Sequence, residues 1–445
     1  MNYLIKECNI KPSEILCISF TNDATTNLKN NLLKQNINID IYTFHKLSLK
    51  ILHDNNYTFD IAPDTLLDDI IDNFFNNIIP SNKLYTKSLK IILDKKHNKQ
   101  SIINLKRLIK TFISLFKSND YNFSYYLTIL NKIKYTLNIK QYYINKHIIL
   151  LTLNIHLIYI NTLKENNSID FNDMINKCTS ILNNNTKLPN WKYIIIDEYQ
   201  DTSITKFNLI NKIINITNAN LLAVGDDFQS IYRFTGCNLH IFLNFTKYFK
   251  YAKTFQIINT YRNPQELINI SGSFIMKNRS QIKKKLLSSK HITNPIYLYE
   301  TDNYIKTLKI ILNKIKDQDI FILGRNNKDI LKYIDNSYTK LDNDYYKYNN
   351  IKFRYLTIHK SKGLESSNII IINMEDNLLG LPSKIKDEQI LKYVNNTKDY
   401  YPYEEERRLF YVALTRTKNR VYIIAPIHNQ SIFLKEIKKY TKKVN

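Results

Sequence analysis

Glycine is nearly missing from this chain: six among 445 residues, with proline also sparse at nine. Ordinary usage is about 7% and 5%. Where glycine is this rare, each survivor is expected where another residue fails. The six are Gly225, Gly236, Gly272, Gly324, Gly363 and Gly380. Cysteine is scarce too. Cys8, Cys17, Cys178 and Cys237 form no Cys-x-x-Cys pair and no ligand spacing with histidine, which speaks against a zinc site or disulfide framework and for reduced thiols. No apolar run approaches the ~18 residues of a membrane span, and no leader-like segment opens the chain. A soluble, cytoplasmic protein with no membrane partner is expected.

What is present is a core-forming chain with a basic surplus. Hydrophobic residues make up 44%, enough for a sizeable core, and the length suits two or three domains. The net charge of +25 invites a polyanion. However, Asn, Ile, Lys and Tyr, all with A/T-rich codons, are abundant throughout. Part of the lysine surplus is therefore expected from coding bias, and the charge alone does not decide for nucleic acid.

Several short Ile/Val-rich runs lack polar alternation: ILCISF from Ile15, YIIIDE from Tyr193, LLAVGD from Leu221, IFILGR from Ile320, IIIINM from Ile369 and VYIIAP from Val421. Separated by helical patterns, they predict buried parallel strands and an α/β fold. They fall into two groups, so two α/β domains are expected. Residues 55–165 show no obvious strand and repeat apolar residues at helical spacing, as in SIINLKRLIKTFISLFK, which predicts a helical subdomain inserted into the first domain. Leu341–Asn350 is a loop or linker candidate, and the tail after Pro426 is too short for a further domain.

Chemistry concentrates at strand ends. Ile194–Asp201 closes an apolar strand with Asp197 and Glu198, at the sheet edge where α/β proteins bind ligands. In a nucleotide-hydrolysing site, such an Asp helps hold Mg²⁺ and such a Glu polarises water. The next strand ends in Gly225-Asp226-Asp227-Phe228-Gln229, which suits a phosphate-sensing turn. Phe228, Tyr232 and Phe234 suit base stacking or the core. Arg262 follows the strand-like TFQIIN. A predicted helix beginning at Glu404 buries Leu409, Val412 and Ala413 and carries Arg416 near its end. Such arginines could neutralise charge on a transferred phosphoryl group, whereas Arg407 and Arg408 read as solvated or salt-bridged surface residues. Thr357, His359, Lys360, Lys362 and Gly363 make a cradle for phosphates of nucleotide or DNA.

The order of these segments is more informative than any one of them. SFTNDAT, YTFHKL, DFNDM, IIIDEYQD, VGDDFQSIYRFTG, TYRN, LTIHKSKGLE and EEERRLFYVALTRTK run nearly the whole chain. In this ordered series the chain resembles the UvrD/Rep family of superfamily 1 DNA helicases, in the short, helicase IV-like form. The resemblance implies two RecA-like domains that clamp ATP and move 3′-to-5′ along single-stranded DNA. It would give Asp197 to Mg²⁺, Glu198 to water activation and Gln229 to the γ-phosphate. Arg262 and Arg416 would also reach the γ-phosphate, Tyr261 would stack on adenine, and Gly363 and Glu365 would lie near the phosphates and ribose. Phe20, Thr43, His45, Tyr232, Phe234, Thr357 and His359 would line the single-strand track. ATP and Mg²⁺ are the implied cofactors; single-stranded DNA and single/double-strand junctions are the implied partners.

Departures from the family pattern matter as much. A GxGKT-type loop normally precedes the strand at Ile15, yet no glycine precedes Gly225 and no Gly-Lys dipeptide occurs. The chain is expected to start inside the first domain, with the loop, the strand before it and the glutamine motif missing. The expected domains are 1–54 with 166–255 (first RecA-like, incomplete), 55–165 (helical insertion) and 256–445 (second RecA-like, without a large regulatory insertion). Thr235 stands where Arg is usual and Asp23 where Lys is usual. The expected function is an ATP-dependent helicase of repair or replication restart whose own ATPase is impaired. The alternatives are an inactive DNA-binding remnant and a motor completed by another chain.

Overall fold

The computed structural model describes residues 1–93, 99–136, 138–386, 388–395 and 401–444, with 135 and 136 described by their backbone alone. The chain is α/β and divides into two compact units. One comprises 1–225, 232–242 and the described part of 387–398; the other comprises 226–231, 243–386 and the described part of 399–445.

In the first unit, β1 (Ile15–Ser19) lies beside β2 (Asp40–Thr43). The two-residue strands β3 (Asp60–Ile61) and β4 (Ser168–Ile169) pair with each other at the two stems of the helical stretch. With β5 (Tyr193–Ile196) and β6 (Asn220–Ala223), β1 and β2 complete a parallel sheet in the order β2-β1-β5-β6. All five residues of β1 are buried, as expected of a strand covered on both faces. β6 differs from the expected buried strand. It pairs with β5 alone among the described strands, and at that edge Leu222 is 53% exposed.

The helical layer comprises Leu66–Asn73, Lys83–Ile92, Lys99–Ser118, Tyr125–Thr136 and Ile139–Glu165. Its core gathers Phe74, Ile109, Phe112, Phe116, Tyr126, Ile149 and Ile155. Ile139–Glu165 is, by length and composition, apolar enough to cross a bilayer, which reading uninterrupted runs did not anticipate. Here Ile148, Ile149, Leu151, Ile155 and Leu163 bury against the other helices instead. A short turn far along the chain, Gln389–Tyr393, also joins this layer. Ile390 and Val394 enter the core, Asn119 Nδ2 donates to the Val394 carbonyl at 2.9 Å, and Tyr125 Oη donates to that of Tyr393 at 3.0 Å.

The second unit holds one eight-stranded sheet. Its strands are β7 (Ile296–Glu300), β8 (Ile320–Gly324), β9 (Tyr338–Lys340), β10 (Tyr345–Tyr348), β11 (Ile351–Thr357), β12 (Ser366–Ile371), β13 (Thr417–Ala425) and β14 (Lys442–Val444). The order is β14-β7-β13-β12-β8-β11-β10-β9. Pairing is parallel from β14 to β11 and antiparallel beyond it. Two expectations are corrected. Leu341–Asn350 is no plain linker, because β10 lies within it and pairs with both neighbours. The strand-like TFQIIN forms no strand: only Asn259 bridges, to Leu287, and Phe255 and Ile257 stand 86% and 81% exposed.

Candidate functional site

In the first unit, β5 delivers its two acids at its carboxyl end. Asp197 is exposed, and its Oδ1 accepts the Glu198 backbone N–H at 2.9 Å. Glu198 adopts φ 53°, a left-handed conformation costly for a residue with a Cβ. Its carboxylate accepts from the Gln200 amide. The neighbouring strand end approaches closely, with Tyr199 N–H donating to the Val224 carbonyl at 2.9 Å. A side chain at Gly225 would crowd its neighbours: a Cβ would lie 2.5 Å from Gln200 Oε1 and 2.7 Å from the Phe242 ring.

Three aromatic pairs that include expected DNA-track residues lie in the same unit. Phe20 meets Phe44 edge-on at 5.1 Å, and Lys206 Nζ lies 4.6 Å above the Phe20 ring. His45 meets Phe171 edge-on at 5.1 Å. Burial, with Lys206 nearby, lowers the His45 pKa to about 4, so the ring is neutral at ordinary pH. The Thr43 hydroxyl caps the helix Phe44–Asp54 by accepting from the Lys46 N–H, and the residue is buried. Tyr232 and Phe234 meet at 6.1 Å on a turn closed by Gly236, and Phe234 is 57% exposed.

In the second unit, Gln229 and Arg416 are brought together. Arg416 is 1% exposed, and its Nη2 donates to Gln229 Oε1 at 3.0 Å while its Nε donates to the Val412 carbonyl at 3.2 Å. The Gln229 amide N–H in turn donates to Asp226 Oδ2 at 2.8 Å, so the side chain is held from both ends. Asp226 and Asp227 also share Lys284, which lies 4.2 Å over the Phe228 ring. Burial alone would lower the Lys284 pKa, but Asp226 and Asp227 outweigh it and raise the value. Phe228 is core here, packed on Ile275 and Tyr411.

Arg262 and Glu365 also meet, at 2.8 Å, with Lys418 on the other carboxylate oxygen at 2.7 Å. Lys418 first and Arg262 next lower the Glu365 pKa. With 33% and 39% of the two side chains exposed, this pair adds little stability and can rearrange around a ligand. The Tyr261 ring beside it is 86% exposed. Gly363 has φ +79° with open space around its missing Cβ, so backbone conformation selects glycine there. The Thr357 hydroxyl accepts from the Lys360 N–H at 3.3 Å. His359 is held neutral by burial and by Arg325, with its pKa lowered to about 4. Arg325 itself forks onto Glu406 at 2.8 and 3.0 Å.

One expectation about the arginines fails. Arg407 is salt-bridged to Glu436 at 2.7 Å, but Arg408 is 4% exposed, binding the Ser230 carbonyl at 2.7 Å and Glu404 at 3.0 Å. Lys206, Lys284 and Arg325 were not singled out from sequence, because a lone basic residue carries no signal among 64 lysines and arginines.

Among the described residues no cluster of three His, Cys, Asp or Glu side chains could cage a metal ion. The exposed Asp197 carboxylate at the strand end fits Mg²⁺ of the kind that arrives with a nucleotide, held by one or two carboxylates and by phosphates.

Largely parallel sheets with charged and polar side chains gathered at strand ends define an α/β protein of the kind that binds ligands at its strand ends. The comparisons narrow it. The UvrD/REP helicase N-terminal domain matches residues 1–250, and the UvrD-like helicase C-terminal domain matches 336–427. The chain belongs to the UvrD/REP family of DNA helicases. It is 29% identical to DNA helicase IV of Escherichia coli K12 over 62% of this chain and 40% of that protein. It is 28% identical to a probable DNA helicase II homolog of Mycoplasma capricolum over 88% of this chain and 54% of that protein. It is 27% identical to the ATP-dependent DNA helicase Rep of Buchnera aphidicola subsp. Acyrthosiphon pisum over 99% of this chain and 66% of that protein. The chain thus spans about half the length of the curated relatives it matches.

Proposed function

We propose that this chain carries most of an ATP-dependent motor that moves 3′-to-5′ on single-stranded DNA and acts at single/double-strand junctions in repair or replication restart. Its setting would be the cytoplasm, on the nucleoid in a bacterium. The domains would be 1–54 with 166–255, the insertion 55–165, and 256–445 without a large regulatory insertion. The observation that most supports the reading is Gln229, held between buried Arg416 and Asp226. An amide fixed this way can report the state of a γ-phosphate to the helix that ends at Arg416.

Each residue has a chemical task. Asp197 would hold Mg²⁺, which supplies charge neutralisation at the phosphates when bound. Glu198, fixed in its left-handed turn, would take the proton of the attacking water. Arg262, released from Glu365, and Arg416 would offset charge on the transferred phosphoryl group. Tyr261 would stack on adenine, and Gly363 and Glu365 would face the phosphates and ribose. On the DNA side, Phe20, Tyr232 and Phe234 would stack on bases. His45 and His359, neutral, would donate or accept without adding charge. Thr43 would act through the backbone its hydroxyl caps, and Thr357 would contact the strand.

No Gly-Lys loop occurs within these 445 residues, so the chain alone is proposed to bind DNA while turning ATP over poorly. The same fact favours a second reading, a DNA-binding remnant without ATPase. Titrating fluorescein-labelled oligo(dT) tests the DNA side. Affinity should fall steeply with salt, and the double variant Tyr232→Ala, Phe234→Ala should lose about 1–3 kcal/mol per stacked base. Salt-independent binding that is untouched by that variant would remove the DNA reading.

A further inference from the structure

A buried ion pair in the first unit has no place in the chemistry above. Lys117 ends the helix Lys99–Ser118, and its side chain is 5% exposed. Its ammonium binds Asp170 and, at 2.6 Å, Asp173, and it lies 4.7 Å over the Tyr159 ring. The Tyr159 hydroxyl donates to Asp170 Oδ2 at 2.7 Å. Asp170 also caps the helix Phe171–Ile181, its Oδ1 accepting the Asp173 N–H at 2.8 Å. Burying such a cluster costs desolvation that apolar side chains would avoid, so its best-attested use is to fix one arrangement among alternatives.

What it fixes follows from the next residue on each side. Phe171, after Asp170, is the ring against His45. Ser118, after Lys117, lies against Gly236, where an added Cβ would come 2.2 Å from its Oγ. Gly236, at φ +90°, closes the turn that carries Tyr232 and Phe234. One ion pair therefore ties the helical layer's end, beneath the Tyr232/Phe234 turn, to the helix start beneath His45. We propose that Lys117 and Asp170 are positioning residues for single-strand binding, setting the spacing between the Tyr232/Phe234 turn and the His45 group. This rests on the DNA reading above.

The test uses the full chain, oligo(dT) and an oligonucleotide containing 2-aminopurine, whose fluorescence falls on stacking. Lys117→Met should bind about tenfold more weakly, with the stacking signal reduced, since misplaced aromatics forfeit roughly one base's stacking. Its salt slope should stay at the wild-type value, because Lys117 touches no phosphate, and Lys117→Arg should recover most of the affinity. A folded Lys117→Met that binds and stacks as the wild type does overturns the proposal. Should Lys117→Met fail to fold, Asp173→Asn, which keeps the inner carboxylate, should show a partial loss in both signals, and wild-type behaviour there overturns it equally. Failure of the wild-type chain to bind oligo(dT) would instead strike the DNA reading itself.

Discussion

Removing the lysine that Asp226 and Asp227 share should destabilise the second unit strongly. Lys284 is 15% exposed, Asp226 30% and Asp227 fully buried. In Lys284→Met, Asp226 can turn to water, but Asp227 cannot. Among the described residues it keeps two neutral donors, the Ile282 N–H at 2.8 Å and the Gln281 amide at 3.3 Å. Leaving one charge of a buried pair uncompensated costs about 3–5 kcal/mol. The exposure of Asp226 places the expected loss near the lower end, at about 3 kcal/mol. With a urea dependence of ~1–3 kcal/mol per molar, the midpoint followed by far-UV circular dichroism should fall by roughly 1–3 M. Adding Asp227→Asn removes the orphaned charge, so the double variant should recover most of the loss. A Lys284→Met midpoint within error of the wild type, or a double variant worse than the single, would refute the reasoning.

Two further substitutions probe other parts of the structure. His156 is 2% exposed and binds the Tyr126 hydroxyl at 3.0 Å; burial first, and Lys117 next, lowers its pKa from 6.5 to about 3. The unfolded chain takes this proton near pH 6.5 and the folded chain does not until far lower, so the stability is complete above that pH and lost as pH falls. The loss approaches about 1.4 kcal/mol per pH unit. Urea midpoints between pH 7.5 and 5 should therefore fall less steeply in His156→Gln, and equal slopes would contradict the assignment. Gly225→Ala should cost about 1–3 kcal/mol by overpacking against Gln200 and Phe242, both held close to the Glu198 turn. Unchanged thermal unfolding would show that the close approach is relaxed at no cost.

Much of the fold was legible because the signal was local. β1 and β5 read as continuous apolar runs, and burial on both faces is what such runs require. Features set by distant partners were not. β6 carries the same apolar pattern as its neighbours, and only its edge position exposes Leu222. β10 is written in Tyr and Lys alone and is recruited by pairing with β9 and β11. Ile390 and Val394 join a helical core whose other described buried residues, from Ala62 to Leu163, lie more than two hundred positions earlier in the chain. The candidate site follows the same division. Glu198 and Gln229 stand in compact motifs, whereas the burial of Arg408 depends on the carbonyl of Ser230, 178 residues away. The partner of Asp170 is Lys117, 53 residues before it and outside every motif.

Steady-state ATP hydrolysis by the 445-residue chain, with and without oligo(dT) and beside Glu198→Gln, tests the central claim most directly. The account predicts a chain that binds oligo(dT) yet hydrolyses ATP near the level of Glu198→Gln, because the arginines and carboxylates act without a glycine–lysine loop to hold the phosphates. DNA-stimulated turnover at the rate of an intact motor, abolished by Glu198→Gln, would contradict it.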